Sequence, residues 1–479
     1  MRMLQYLAVL VAAIFILTPV SQAQQQQDAA QVEKMAYLSG LDIYTFGFPL
    51  VYMELLRYQQ SNFYKNDVTP YMSYGDWDHN TLLLDDGWQQ GGAPNIDTLY
   101  SHAWVDVSKD PVILSHPDMG DRYFTFQLAD YFSDNFDYAG MRATGSNAGH
   151  FAIVGPEWQG ELPEGVTALK SSRTDIVYLA GRTLVAHDKV DQEKAIALMK
   201  QFRLTPLSQW QNREQYHASK KEWLKAPKPA AEALNPGSNP LAHWQSILDS
   251  LARFPTPKEH KVMINFMKNI GLKPGINVEK DLDEATKKGL ARAAIDGFQK
   301  LRYSSTRLGD RVGGSWISTA TVYGESGVHG QYLLRAAQQS LSGIVAHNQE
   351  EAVYTYVTRD KHGHFLEGNN AYKVHFNKGQ LPPAKAFWSI TNYNMKLNFI
   401  TNDWKKYTLG DRNKDLVYDE NGGLTIYFSK EPPADKSLMP NWLATPKSGN
   451  FIPVIRTYIP EKSVLDRTWE LPAVEPVVQ

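Results

Sequence analysis

Cysteine is absent from all 479 residues. That excludes thiol nucleophiles, thiolate metal sites, disulfides and lipid attachment at an N-terminal cysteine. An excess of one charge is lacking too, with 49 Lys and Arg against 51 Asp and Glu. Such a balance gives no field to steer nucleic acid or an anionic membrane, so neither partner is expected. No apolar run reaches the roughly 20 residues that cross a bilayer, so stable membrane insertion is not expected either. The sequence also lacks a Gly-x-Ser-x-Gly elbow, a His-Glu-x-x-His helix, a P-loop and a dinucleotide fingerprint.

What is present belongs to a folded, soluble chain: 43% hydrophobic, 21% charged, with 25 Tyr and 12 Trp. Its length implies two or three domains. The first 23 residues read as a cleaved signal peptide: Arg2, an apolar run from Leu7 to Leu17, Pro19, then Ser21-Gln22-Ala23 as the cleavage site. The expected mature protein is periplasmic or secreted, with Gln24 to Gln27 as a short disordered leader.

Apolar spacing from Ala29 to Gln59 is helical, although Gly47 and Pro49 should interrupt it. Alternating segments follow, Leu99 to Val107, Arg122 to Ala129, His150 to Val154 and Ile176 to Ala186, and they read as a first β-sandwich. From Lys189 the pattern turns helical, with Asp281 to Glu284 opening a long helix on acidic residues. Near Glu350 strands return, including Ala386 to Asn392 after the Pro382-Pro383 turn, and their number and spacing fit a jelly roll. The expected division is 24–188 for the N-terminal helix and first sandwich, 189–345 for a helical domain, and 346–479 for the jelly roll.

Three stretches concentrate chemistry. Asn95-Ile96-Asp97-Thr98-Leu99-Tyr100 reads either as an Asx-type turn opening a strand or as a carboxylate, amide and phenol converging at a sandwich rim. Asp130 to Tyr138 mixes acids with aromatics and offers oxygens to calcium, which takes about six to eight, but lacks EF-hand spacing. His362-Gly363-His364 with Glu367 and His375 has a cupin-like look, yet Asp360 to Gly363 reads as an exposed hairpin turn. No metal set is assigned, and calcium is the one cofactor left open. Lone histidines such as His102 read as satisfied surface or core groups.

Several motifs carry a family resemblance. Asn95-x-Asp97-Thr98-x-Tyr100, Tyr123 to Asp130, and Gly145-x-x-Ala148-Gly149 with Val154-Gly155-Pro156 resemble the domain of unknown function 1254. Leu366-x-Gly368, Pro382-Pro383 through Ser389, Gly410-Asp411-Arg412, Asn441-Trp442-Leu443 and Arg456-x-Tyr458-x-Pro460 resemble its partner, the domain of unknown function 1214. The resemblance implies an Ig-like sandwich, a helical domain and a C-terminal jelly roll: a mainly β protein with a helical part.

The expected function is that of an exported hydrolase on a polar or carbohydrate-like substrate, with its site in an inter-domain cleft. Asp97 is the expected acid/base and Asp130 a second carboxylate; Asn95 and Tyr100 are positioners. Trp388, Tyr393 and Arg412 would add stacking and anion contacts. The alternative is a non-catalytic envelope module binding glycan or protein, and self-association into a homo-oligomer is kept open.

Overall fold

A computed structural model describes residues 22–62, 75–89, 92–186, 188–218, 231–254, 256–321, 324–342 and 345–477. All but Gln22 and Ala23 of the expected signal peptide lies outside them. Helix α1, Gln22–Asn62, is 41 residues long and runs unbroken through Gly47 and Pro49. It also takes in Gln24 to Gln27, so that expected leader is helical. Every residue from Ile43 to Val51 is buried. Pro and Gly cost a helix about 3 and 1 kcal/mol. Burying Phe46, Phe48, Leu50, Val51 and Met53 returns about 1.5–3 kcal/mol each, so tertiary packing wins over propensity.

The N-terminal β unit has strands β1 Asp78–Asn80, β2 Thr98–Asp106, β3 Val112–His116, β4 Phe124–Ala129, β5 Asn135–Gly140, β6 Gly149–Ile153, β7 Thr167–Ala168, β8 Ile176–Leu184 and β9 Arg203–Pro206. They form two sheets, β1-β2-β8-β4-β5 and β7-β6-β3-β9. Leu99, Val105, Phe126 and Leu179 of the first share a core with Leu114, Ile153 and Leu204 of the second. Helix α2, Lys189–Met199, contributes Ala195 and Met199 to that same core.

Helices α3 Ala242–Arg253, α4 Lys261–Asn269, α5 Val278–Asp281, α6 Glu284–Ser305 and α7 Tyr332–Arg335 build the helical part, with α1 at its centre. α7 passes into π-helical turns over Ala336–Ser342. α1 and α6 approach closely at Gly289, where an added Cβ would stand 2.3 Å from the Glu33 carbonyl oxygen.

The C-terminal β unit has strands β10 Asp310–Arg311, β11 Ile317–Ser318, β12 Ala352–Tyr356, β13 Tyr372–Phe376, β14 Ala384–Asn394, β15 Thr408–Gly410, β16 Leu424–Ser429, β17 Trp442–Ala444, β18 Phe451–Pro460 and β19 Glu475–Pro476. Its sheets are β10-β11-β12-β18-β14-β15 and β17-β16-β13-β19, sharing a core through Val353, Ile390 and Ile455 on one side and Val374, Ile426 and Leu443 on the other. The described residues therefore combine four β-sheets with a helical part. Among the described residues, no helix is long and apolar enough to cross a membrane.

Candidate functional site

Strand alternation gives the β1-β2-β8-β4-β5 sheet one face for its own core and one for the rest of the molecule. Antiparallel pairing sets the outer face in rows. Asn80, Tyr100, Arg182, Thr125 and Gly140 lie side by side, and Asp78, His102, Ala180, Gln127 and Tyr138 form the next row. Arg182 and Ala180 of the central strand β8 stand between Tyr100 and His102 on β2 and Thr125 and Gln127 on β4. Trp104, beyond His102, packs toward α1 and donates to Gln60 at 2.8 Å. At the other end the C-terminal domain closes over the sheet with Tyr354 from β12, Tyr458 from β18 and His347 from the connecting segment.

Arg182 is the hub of this buried junction between the two β units. Its guanidinium lies 5.4 Å from the Tyr100 ring centroid and donates from Nη1 to Tyr354 Oη at 3.1 Å. Burial works against its charge, the phenols of Tyr354, Tyr100 and Tyr458 favour it, and its pKa is held well above the ordinary value. Tyr178 Oη bonds His102 Nδ1 at 2.8 Å, and the Tyr100, His102 and Tyr178 rings run parallel at 5.7 and 6.0 Å. Burial, with Arg182 and His79 adding to it, brings His102 down to about 4, so the ring is neutral. Burial also raises the carboxyl of Asp78 to about 6.

Several buried polar atoms at this junction have no hydrogen-bond partner among the described residues: Tyr458 Oη, both ring nitrogens of His347, Gln127 Oε1 and Arg182 Nε. Burial keeps the Tyr458 phenol protonated and, together with Arg182 and Arg142, keeps His347 neutral. The backbone beside them is strained, since Val345 and Ile459 hold φ of 47° and 48°, a region that β-branched residues rarely enter. The walls are tied down. Tyr123 and Arg142 both bond the Glu351 carboxylate at 2.6 Å, and Gln127 Nε2 donates to Val345 O at 3.0 Å and Ala346 O at 2.9 Å.

Of the residues expected from sequence, Tyr100 borders Arg182, and the rest divide between a neighbouring seam, the C-terminal core and a separate buried cluster. Asn95, Asp97, Tyr100, Tyr393 and Arg412 meet at the seam. Asn95 Oδ1 accepts from the Asp97 and Thr98 amides at 2.9 and 3.0 Å, and its amide donates to Tyr100 Oη. Asp97 is fully buried; Arg412 pairs with one carboxylate oxygen, and Ser389 Oγ donates to the other at 2.7 Å. Tyr393 donates to Pro94 O, and Arg456 bonds Ala93 O at 2.8 Å. Trp388 points the other way, into the C-terminal core.

Asp130 belongs to a separate buried cluster. Arg173 Nε donates to its Oδ2 at 2.7 Å, and Arg173 and Arg335 hold Asp134 at 2.9 and 3.1 Å. Asp137 accepts from the Tyr138 and Lys170 amides. Among the described residues, no group of three or more His, Cys, Asp or Glu is placed to hold a metal ion. His364 is largely exposed, and His375 bonds Thr425 instead. A cavity of about 930 Å³ opens elsewhere, between Phe298, Tyr303 and Leu341, and its wall has no buried ionisable group.

Sequence reasoning missed Arg182, His102, His347 and Tyr458. One signal was available: Arg182 is a lone charge inside the apolar run Ile176 to Leu184, and alternation puts it on the face of Tyr178.

Residues 78–206 match the family model "Protein of unknown function (DUF1254)", and residues 351–462 match "Protein of unknown function (DUF1214)", in the order the motifs implied. The crystal structure of the VPA0106 protein from Vibrio parahaemolyticus superposes with a TM-score of 0.68 at 22% identity, covering 92% of this chain and 100% of that one. A crystal structure of an uncharacterized protein from Burkholderia cenocepacia reaches a TM-score of 0.43 at 12% identity, over 95% of this chain and 97% of that one. The comparison with curated proteins gave no match. Tyr100, His102, Tyr178 and Arg182 fall in the first matched segment, and Tyr354 and Tyr458 in the second.

Proposed function

We propose that this chain, which joins DUF1254 to DUF1214 in that order, binds a small polar molecule in the pocket the two domains enclose. One observation carries the reading: Tyr458 Oη, both His347 nitrogens and Gln127 Oε1 are buried and unpartnered at this junction. A buried polar group without a partner costs about 1–3 kcal/mol, so several together call for an occupant. Inter-domain junctions are common sites for such ligands.

A binding role is favoured over hydrolysis through Asp97 and Asp130, because each of those carboxylates is already committed to an arginine. A hydrolytic reading on a polar or carbohydrate-like substrate gains instead from Asp78, whose carboxyl is raised to about 6 on the same face as His102. That value suits a group exchanging protons near neutral pH. We read the N-terminal sandwich as Ig-like and the C-terminal one as a jelly roll, from two-sheet builds that are antiparallel except for the β6–β7 and β16–β17 pairs. We also propose export, with cleavage after Ala23 and residence in the periplasm or outside the cell; N-terminal sequencing of the mature protein tests this.

The binding reading is tested by a crystal structure of protein purified without added ligand, together with a thermal-shift screen of small polar molecules. A bound molecule on His347 and Tyr458 is expected. Water alone in the pocket, with no compound raising Tm, would sink the reading.

A further inference from the structure

We infer that the group recognised in this pocket is an oxyanion, a carboxylate or phosphoryl group seated against the guanidinium of Arg182; the inference rests on the pocket reading above. A buried guanidinium needs an anion or a full set of hydrogen-bond acceptors, since taking its charge out of water is costly. The other deeply buried arginines meet that need within the protein. Arg57 pairs with Glu54, and Arg335 pairs with Asp134. Arg456 has no acid beside it in an ion pair but bonds Thr391 Oγ1, Ala93 O and Tyr393 Oη.

Arg182 differs on both counts. It is 8% exposed, and among the described residues it makes no ion pair. Its side chain has one hydrogen bond, to the Tyr354 phenol, and Nε has none. Carboxylates near it are spent elsewhere: Glu351 on Tyr123 and Arg142, Asp97 on Arg412 and Ser389. Asp78 stands in the neighbouring row, two strands away. The cross-strand neighbours Thr125 and Gly140, and Ala180 in the next row, carry no acid to pair with the guanidinium. Tyr458 Oη and the neutral His347 ring, both within electrostatic reach of Arg182, add uncommitted polar groups. A guanidinium fork with phenol and imidazole donors is the chemistry that holds a planar carboxylate or a phosphoryl group.

The test titrates the purified protein by calorimetry at constant ionic strength with three probes: benzoate, its neutral analogue benzamide, and inorganic phosphate. Benzoate or phosphate is expected to bind at least tenfold more tightly than benzamide, and Arg182→Gln to remove that advantage without changing benzamide. Arg182→Met, measured for Tm without ligand, keeps the test sound if Arg182→Gln misbehaves. A binding arginine can be replaced by an apolar side chain with Tm unchanged or raised, while a structural one cannot. Binding of phosphate alone assigns a phosphoryl ligand, and of benzoate alone a carboxylate. Benzamide binding as tightly as both, with Arg182→Gln indifferent, overturns the oxyanion and leaves the pocket. No probe binding, with Arg182→Met and Tyr458→Phe both melting below wild type, overturns the pocket as well.

Discussion

Ser389 Oγ donates a 2.7 Å hydrogen bond to Asp97 Oδ2, joining a strand of the C-terminal domain to a loop of the N-terminal one. Arg412 occupies the other carboxylate oxygen and lies 4.6 Å from the Phe387 ring centroid. Asp97 is thus the central acceptor of an inter-domain clamp. Asp97→Asn removes the charge opposite Arg412 and is expected to destabilise by about 3 kcal/mol, the low end for a broken buried pair because Arg412 is partly exposed. Binding by the folded fraction should stay at the wild-type level. Urea unfolding gives the first quantity and calorimetry the second; an unchanged unfolding midpoint would show the clamp to be idle.

Gly289→Ala sets two effects of opposite sign against each other. Helix propensity alone favours alanine by about 1 kcal/mol. The new Cβ, however, would stand 2.3 Å from the Glu33 carbonyl oxygen and 2.8 Å from Ala36 Cβ on α1. Backbone oxygen is hard to displace, and overpacking of this kind costs about 1–3 kcal/mol or more. Net destabilisation is expected, read as a lower Tm with unchanged helix content. A higher Tm would mean that α1 and α6 separate easily.

Strand β14 was readable from sequence in more detail than the pocket. Alternation over 387–392 separates Phe387, Ser389 and Thr391 from Trp388 and Ile390, with both sides covered. In the fold Trp388 and Ile390 enter the C-terminal core, while Phe387 packs on Tyr123 and Tyr458 and Ser389 reaches Asp97. The pocket could not be read this way, because it depends on which distant strands become neighbours. Nothing local in Tyr100 or Arg182 says that β2 and β8 pair so as to put them opposite each other. His102 looked like a lone histidine for the same reason. Around Gly47 and Pro49 the periodic signal itself fails, since a helix buried on every side has no polar face to mark its turn.

Arg335 joins three segments from a position with no exposed surface. It pairs with Asp134 at 3.1 Å, donates to the Phe46 carbonyl of α1 at 2.7 Å, and lies over the rings of Phe46, Phe132 and Tyr332. Arg335→Ala is expected to cost about 3–5 kcal/mol, as for other broken buried pairs. Arg335→Lys keeps the charge but loses the fork that reaches both acceptors, so it should recover only part of that loss. Unfolding midpoints for both variants decide this, and a fully stable lysine variant would reduce the role of Arg335 to charge alone.

Acid sensitivity should come from buried neutral histidines. Burial holds His243 at about 4 and His260 at about 3, against an ordinary value of 6.5. The unfolded chain takes up protons below pH 6.5 while the folded one does not. Their contribution is therefore fully present above pH 6.5 and drains away as pH falls toward 4. Each tenfold difference in proton affinity between the folded and unfolded chain is about 1.4 kcal/mol, so the two histidines are worth roughly 3–5 kcal/mol each. His79 and His102, both held at about 4, add to the loss. Asp78 acts in the opposite direction: with its carboxyl raised to about 6, its penalty is full above pH 6 and lifts toward pH 4, worth about 3 kcal/mol. The half-open Asp411, also raised to about 6, adds a smaller contribution of the same sign because solvent screens it. The histidines outweigh both, so the urea midpoint should be lower at pH 4.5 than at pH 7.5. His243→Gln with His260→Gln should flatten that slope. A wild-type midpoint that holds steady or rises between the two pH values would assign the dominant titration to the carboxyls instead.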